Sequence, residues 1–149
     1  MMHYPGNLKL VRLRPTSRLP SPATEGSAGY DLYADLDAPA VIHPGQTVAI
    51  PTGLSMQIEP GFAGFVFARS GLGVRHGIVP ANCVGVIDSD YRGEVLVALY
   101  NHAEQSFTVQ PGDRMAQLVL LPVALPAVEE CRALEESARG SGGFGSTGR

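Results

Sequence analysis

Glycine and proline interrupt this chain too often for long helices to form in its body. Turn signals stand at His43-Pro44-Gly45, Pro51-Thr52-Gly53, Pro60-Gly61 and Pro111-Gly112. Gly53 and Gly112 read as turn residues. Between the turns lie short β-prone runs: LKLVRL from Leu8, YDLYADL from Tyr30, VIHPGQTVAIPTGLSMQI from Val41, FAGFVFA from Phe62, EVLVALY from Glu94, the stretch Phe107 to Val109, and MAQLVLLPV from Met115. In YDLYADL, period two puts Tyr30, Leu32 and Ala34 on one face. Short strands and turns at this interval predict an all-β fold, a sandwich or barrel. At 149 residues with 44% hydrophobic content the chain forms one domain with a real core.

One helix is expected in the body, about two turns over ARSGLGVRHG, with Ser70 as N-cap and Gly77 at its end. Arg14 to Gly29 is a long polar loop with three prolines. AVEECRALEESA, from Ala127 to Ala138, reads either as a short helix or as an arm leaving the body, its approach stiffened by Pro122 and Pro126. The last eleven residues, RGSGGFGSTGR, include five glycines and form no core element; by composition they are a disordered tail.

A formal charge of −3 leaves no basic footprint, which excludes nonspecific nucleic-acid binding. Lys9 is the sole lysine among 11 basic residues; arginine suits two-pronged contacts to phosphate, although genome composition alone accounts for such a bias. Cys83 and Cys131 have no metal-site spacing and read as free, reduced, partly buried thiols. The first residues carry no signal-peptide core, and the most apolar stretch, Leu118 to Val128, is broken by prolines and too short to span a bilayer. The expectation is a soluble cytoplasmic protein with neither membrane nor nucleic acid as partner.

The stretch NCVGVIDSDYRG, Asn82 to Gly93, reads with the following EVLVALY as a β-hairpin bearing Asp88 and Asp90 at its tip. Alone it is an ordinary solvated turn. Three other stretches offer donors to phosphate: Arg69 and Ser70 at a helix start, Arg114 and Gln117 at a strand start, and Arg139 with Ser146 and Thr147 in the tail. The tail lacks the GK[ST] ending of a P-loop. Phe144, an aromatic in a glycine run, fits either stacking on a base or a latch onto its own domain. Carboxylates, phosphate donors and an aromatic lid together suggest a nucleotide hydrolase in which water attacks phosphorus.

The set resembles the trimeric dUTPases. Five motifs match in order: AGYDLYA (28–34), ARSGLG (68–73), NCVGVIDSDYRG (82–93), PGDRMAQ (111–117) and RGSGGFGSTG (139–148). Ala68 and Cys83 depart from the usual residues without removing a functional group. The resemblance implies a jelly-roll-like β domain over 1–138, with a C-terminal arm and with 139–149 as a flexible lid. It further implies a homotrimer with intersubunit active sites, and Mg²⁺-dependent conversion of dUTP to dUMP and pyrophosphate, which keeps uracil out of DNA and supplies dUMP for thymidylate synthesis.

It also implies roles. Asp88 would activate the water attacking the α-phosphorus, while Asp90 would hold the turn or pair with an arginine. Asn82 and the backbone of Val86, Ile87 and Leu96 would read uracil; cytosine would leave a buried polar group unpaired, a penalty of roughly 1–3 kcal/mol. The hairpin would be too tight for the methyl of thymine. Tyr91 would pack under the sugar and reject a 2′-hydroxyl. Arg69, Ser70 and Gly71, with Gln117 nearby, would hold the phosphates, and Asp31 would meet Mg²⁺ through water. Arg139 would pair with the γ-phosphate, Phe144 would cover uracil, and Gly145 and Ser146 would donate to the phosphates. Arg114 reads as structural, bonding the acidic hairpin from beneath; His76 and His102 read as surface or cap residues. The rivals are a dCTP deaminase, which needs a glutamate where Asp88 stands, and a β-sandwich binding module without turnover.

Overall fold

Strand formation follows the turn signals closely in the computed structural model, which describes residues 4–143. In chain order the elements are β1 (Lys9–Arg12), β2 (Tyr30–Tyr33), β3 (Ala40–Ile42), β4 (Thr47–Pro51), β5 (Leu54–Gln57), β6 (Phe62–Ala68), α1 (Ser70–His76), β7 (Ile78–Pro80), β8 (Gly85–Ile87), β9 (Leu96–Asn101), β10 (Phe107–Val109) and β11 (Arg114–Pro122). All pairings are antiparallel. One sheet has the order β2-β11-β6-β8, a second β4-β9-β7, and β1-β5 and β10-β3 form two-stranded ribbons. This is the expected jelly-roll-like β fold. No helix among the described residues is long and apolar enough to cross a membrane.

The core comes from inward residues at period two. On β9, Val97 and Leu99 are buried while Leu96 faces out; Ile50 of β4, Leu118 of β11 and Leu32 of β2 pack into the same cluster. Each such side chain contributes about 1.5–3 kcal/mol by leaving water. Asn101 is the exception on β9: fully buried, it donates through Nδ2 to the carbonyls of Ile42 (2.9 Å) and Gln105 (2.8 Å), and its Oδ1 accepts from Ala103 N–H (2.8 Å). A fully satisfied amide is tolerated there.

Several expectations need correction. Residues 82–100 do not form a hydrogen-bonded hairpin: β8 pairs with β6, whereas β9 pairs with β4 and β7. The connecting turn is bonded instead to the β4–β5 turn. Ser55 Oγ donates to Arg92 O (2.7 Å), Gly53 N–H to Glu94 Oε1 (2.8 Å), Thr52 Oγ1 to Val95 O (2.7 Å), and Val95 N–H to Leu54 O (2.8 Å). Ser70 is not the N-cap but the first helical residue; Arg69 holds the cap position and makes no side-chain cap bond. Gly77 does end the helix, at φ 64°. Tyr30 is exposed, and Asp31 beside it is buried, with Arg69 and Arg114 bonded to its carboxylate. Both cysteines are exposed rather than partly buried. Residues 127–138 contain no helix; they belong to an extended arm on which Leu125, Val128 and Leu134 are 91%, 100% and 87% exposed.

A buried polar knot fixes the β4–β5 turn. Asp35 accepts from Thr16 Oγ1 (2.6 Å) and Ser17 Oγ (2.9 Å). Gly53 sits against them at φ 65°, and a Cβ there would lie 2.0 Å from both Asp35 Oδ2 and Ser17 Oγ. Gly53→Ala should therefore destabilise the protein by at least about 2 kcal/mol, read as a lower midpoint in denaturant unfolding; an unchanged midpoint would show that the knot yields freely.

Candidate active site

Because β8 and β9 diverge into different sheets, a cavity of about 270 Å³ opens between them, near the small end of ligand pockets. Asn82, Val86, Ile87, Asp88, Tyr91 and Leu96 all line it, so the structure brings together six of the residues singled out from sequence. β8 is an edge strand with β6 on one side only. On β9, β7 covers Leu99 to Asn101 and Ala81 N–H donates to Ala98 O (2.8 Å), leaving Leu96 and Val97 without a neighbour on that side. Strand edges of this kind present unpaired N–H and C=O groups to whatever enters between them.

The groups around the cavity suit a flat polar ring carrying a sugar. Val86, Leu96 and Tyr91 are exposed apolar side chains at its wall. Asn82 lies just before a turn in which Cys83 adopts φ 63° and its N–H donates to Pro80 O (2.9 Å). Tyr91 Oη donates to the carbonyl of Glu94 (2.9 Å), holding the ring along the turn. Asp88 is exposed at the rim, and its carboxylate accepts no hydrogen bond from the described residues. Asp90 pairs with no arginine among them; Arg92 donates instead to the carbonyls of Ser89 (2.7 Å) and Tyr91 (2.9 Å) and so holds the turn itself. Tightness of a hairpin is not what bounds this cavity, since its walls are splayed strands.

The remaining candidates form a second cluster around Asp31. Its Oδ1 accepts from Arg69 Nε (2.9 Å) and its Oδ2 from Arg114 Nη1 (3.2 Å), while Arg69 Nη1 also donates to Arg114 O (3.1 Å). Gln117 stands opposite Asp31 in the β11–β2 ladder, and its Nε2 donates to Ala68 O (3.2 Å). Ser70 and Gly71 follow at the exposed start of α1, where the first turn carries no acidic residue. Arg114, expected to bond the acidic turn, bonds Asp31 instead.

Asp88 is far from this cluster in one chain. Ile87 lies opposite Gly64, five residues before Arg69, and Asp88 is one residue further off. At about 3.3 Å per strand residue, Asp88 and Arg69 are separated by roughly 20 Å. His76 and His102 belong to neither cluster; both are exposed, His76 against the ring of Phe107 and His102 edge-on to Tyr100. Arg139 donates to Gly142 O (2.8 Å) within its own turn. Phe144, Gly145 and Ser146 lie outside the described residues. The sequence reading missed the contribution of Glu94, Gly53 and Ser55, whose hydrogen bonds to or from backbone groups distant in sequence leave no local pattern.

The dUTPase family model matches residues 16–148. The deoxyuridine 5′-triphosphate nucleotidohydrolase of Aeromonas salmonicida is 52% identical over 132 residues, covering 88% of this chain and 87% of its own. That of Thiobacillus denitrificans is 48% identical over 144 residues, covering 96% and 99%. Among solved structures, Staphylococcus bacteriophage 80alpha dUTPase with dUPNHPP superposes with a TM-score of 0.88 at 26% identity, covering 96% of this chain and 99% of that one. Matches of this extent, spanning both residue clusters and the strands that carry them, establish that the chain belongs to the dUTPase family of nucleotide hydrolases.

Proposed function

We propose that this hydrolase converts dUTP to dUMP and pyrophosphate through water activated by Asp88, in sites completed by neighbouring copies of the chain. The observation that carries the chemistry is the unengaged Asp88 carboxylate at the rim of a cavity walled by strand edges. Asp88 takes a proton from water as its oxygen bonds to the α-phosphorus. The bond from that phosphorus to the bridging oxygen breaks, and pyrophosphate leaves. Uracil meets Asn82 and the backbone of Val86, Ile87 and Leu96, and the sugar lies on Tyr91. A phage relative solved with dUPNHPP supports a ligand of this kind. The outcome keeps uracil out of DNA and supplies dUMP for thymidylate synthesis.

The phosphates need Arg69, Ser70, Gly71 and Gln117, which one chain places roughly 20 Å from its own Asp88. A second copy presenting its Asp31 cluster to the first copy's cavity resolves the mismatch. The exposed leucines and valine of the arm point the same way, because such surface calls for cover. Residues 1–138 then form the assembling domain, and the tail, with Arg139 on the γ-phosphate, Phe144 over uracil and Gly145 and Ser146 on the phosphates, acts as a lid that excludes water.

No group of three or more His, Cys, Asp or Glu among the described residues is placed to hold a metal ion directly. Mg²⁺ would be carried on the triphosphate, where it would neutralise charge. Asp31 uses one hydrogen bond per oxygen, and a carboxylate has about four acceptor sites, which leaves room for water from the ion's shell.

Asp88→Asn should lower kcat for pyrophosphate release by roughly 10²–10⁴ with little change in dUPNHPP affinity; near-normal turnover would remove Asp88 from the mechanism. Arg69→Ala and Asp88→Asn should each be inactive alone. Refolded together in equal amounts, they should recover activity approaching about a quarter of the parent, the share of interfaces with both groups intact. No recovery would place each site within one chain. Deleting residues 139–149 should abolish most hydrolysis while sedimentation still gives a trimer; dissociation of the truncated protein would make the tail structural.

A further inference from the structure

The ring of Tyr91 is fixed by its own turn from two sides. Its hydroxyl donates to the carbonyl of Glu94 (2.9 Å). A Cβ at Gly93 would lie 2.4 Å from Tyr91 Oη and 2.6 Å from Cζ, so the ring lies across Gly93 where no side chain fits. The φ of Gly93 is outside the left-handed region, so the backbone there accepts any residue and only the ring demands glycine. Glu94 is in turn anchored elsewhere: its Oε1 accepts from Gly53 N–H (2.8 Å), and Gly53 packs against Asp35 and Ser17 while its carbonyl accepts from Leu13 N–H (2.8 Å). The carbonyl that receives the tyrosine hydroxyl therefore sits on a residue whose side chain is tied to the buried knot.

We propose that Glu94 and Gly93 are positioning residues that set the depth of the Tyr91 ring in the cavity, and through it the preference for deoxyribose over ribose. The proposal rests on Tyr91 facing the sugar. A 2′-hydroxyl is rejected by contact, and contact discriminates only if the ring cannot retreat. Glu94 anchors the acceptor of the Tyr91 hydroxyl at one end, and the bare Gly93 lets the ring lie flat at the other. Val95 N–H to Leu54 O also holds the peptide that carries this carbonyl, so removing the Glu94 carboxylate loosens the acceptor without releasing it; adding a methyl at Gly93 lifts the ring.

The test is the ratio of kcat/KM for dUTP to that for UTP, by pyrophosphate release from the full-length enzyme with Mg²⁺. Glu94→Ala should lower the ratio about tenfold, and Glu94→Gln, which keeps an oxygen for Gly53 N–H, should hold it within about twofold of the parent. Gly93→Ala should lower it as well, and serves as the independent variant if Glu94→Ala does not fold. Tyr91→Ala should collapse the ratio, and adding Glu94→Ala to it should change nothing further. An unchanged ratio in Glu94→Ala or, if that variant does not fold, in Gly93→Ala overturns the proposal, as does the same loss with Tyr91 absent. A parental ratio in Tyr91→Ala overturns it differently, by showing that Tyr91 does not face the sugar.

Discussion

The separation of β8 from β9 is the feature on which the cavity depends. Two adjacent β-prone runs joined by a polar turn ordinarily close on each other, and closure would fill the space with their own ladder. Here the turn is bonded at Arg92, Glu94 and Val95 to residues 52–55. Each neutral hydrogen bond contributes about 0.5–1.5 kcal/mol net, and several acting on one short segment are enough to direct it. The strands are left in different sheets, and residues of both line the gap between them.

Asp31 organises the other half of the site in the same manner. A carboxylate buried beside two guanidinium groups is stable because each oxygen has a donor, and removing one arginine would leave one of those oxygens without its donor. The pairing draws the Arg69 side chain toward Asp31, and Arg69 makes no side-chain cap at the helix it begins. The nearby hydroxyl of Ser70 stays exposed. One acidic side chain in β2 thus orients groups from β11 and from the start of α1.

Much of the fold was readable because its causes are local. Gly53, Gly77 and Gly112 all have positive φ, as their turns and helix end require, and the period-two pattern of β9 was visible in EVLVALY. The errors share a cause as well. Ser70 has the chemistry of a cap, but Arg69 took the cap position once Asp31 fixed its side chain. The pairing of Asp31 with Arg69 and Arg114 was missed, because it joins segments far apart in sequence. The pairing partners of β8 and β9 were missed because Ser55 and Gly53 lie some forty residues before the turn they hold.

By itself the sequence determined the element types, the turn positions and the inventory of reactive groups, because these follow from φ preferences, side-chain periodicity and residue chemistry over a few neighbours. Only the tertiary structure decided how those groups are distributed. It placed Asp88 beyond one end of the β6–β8 ladder, and Arg69 with Asp31 and Gln117 beyond the other. Strand register sets that distance, and register is a property of pairs of segments remote in the chain.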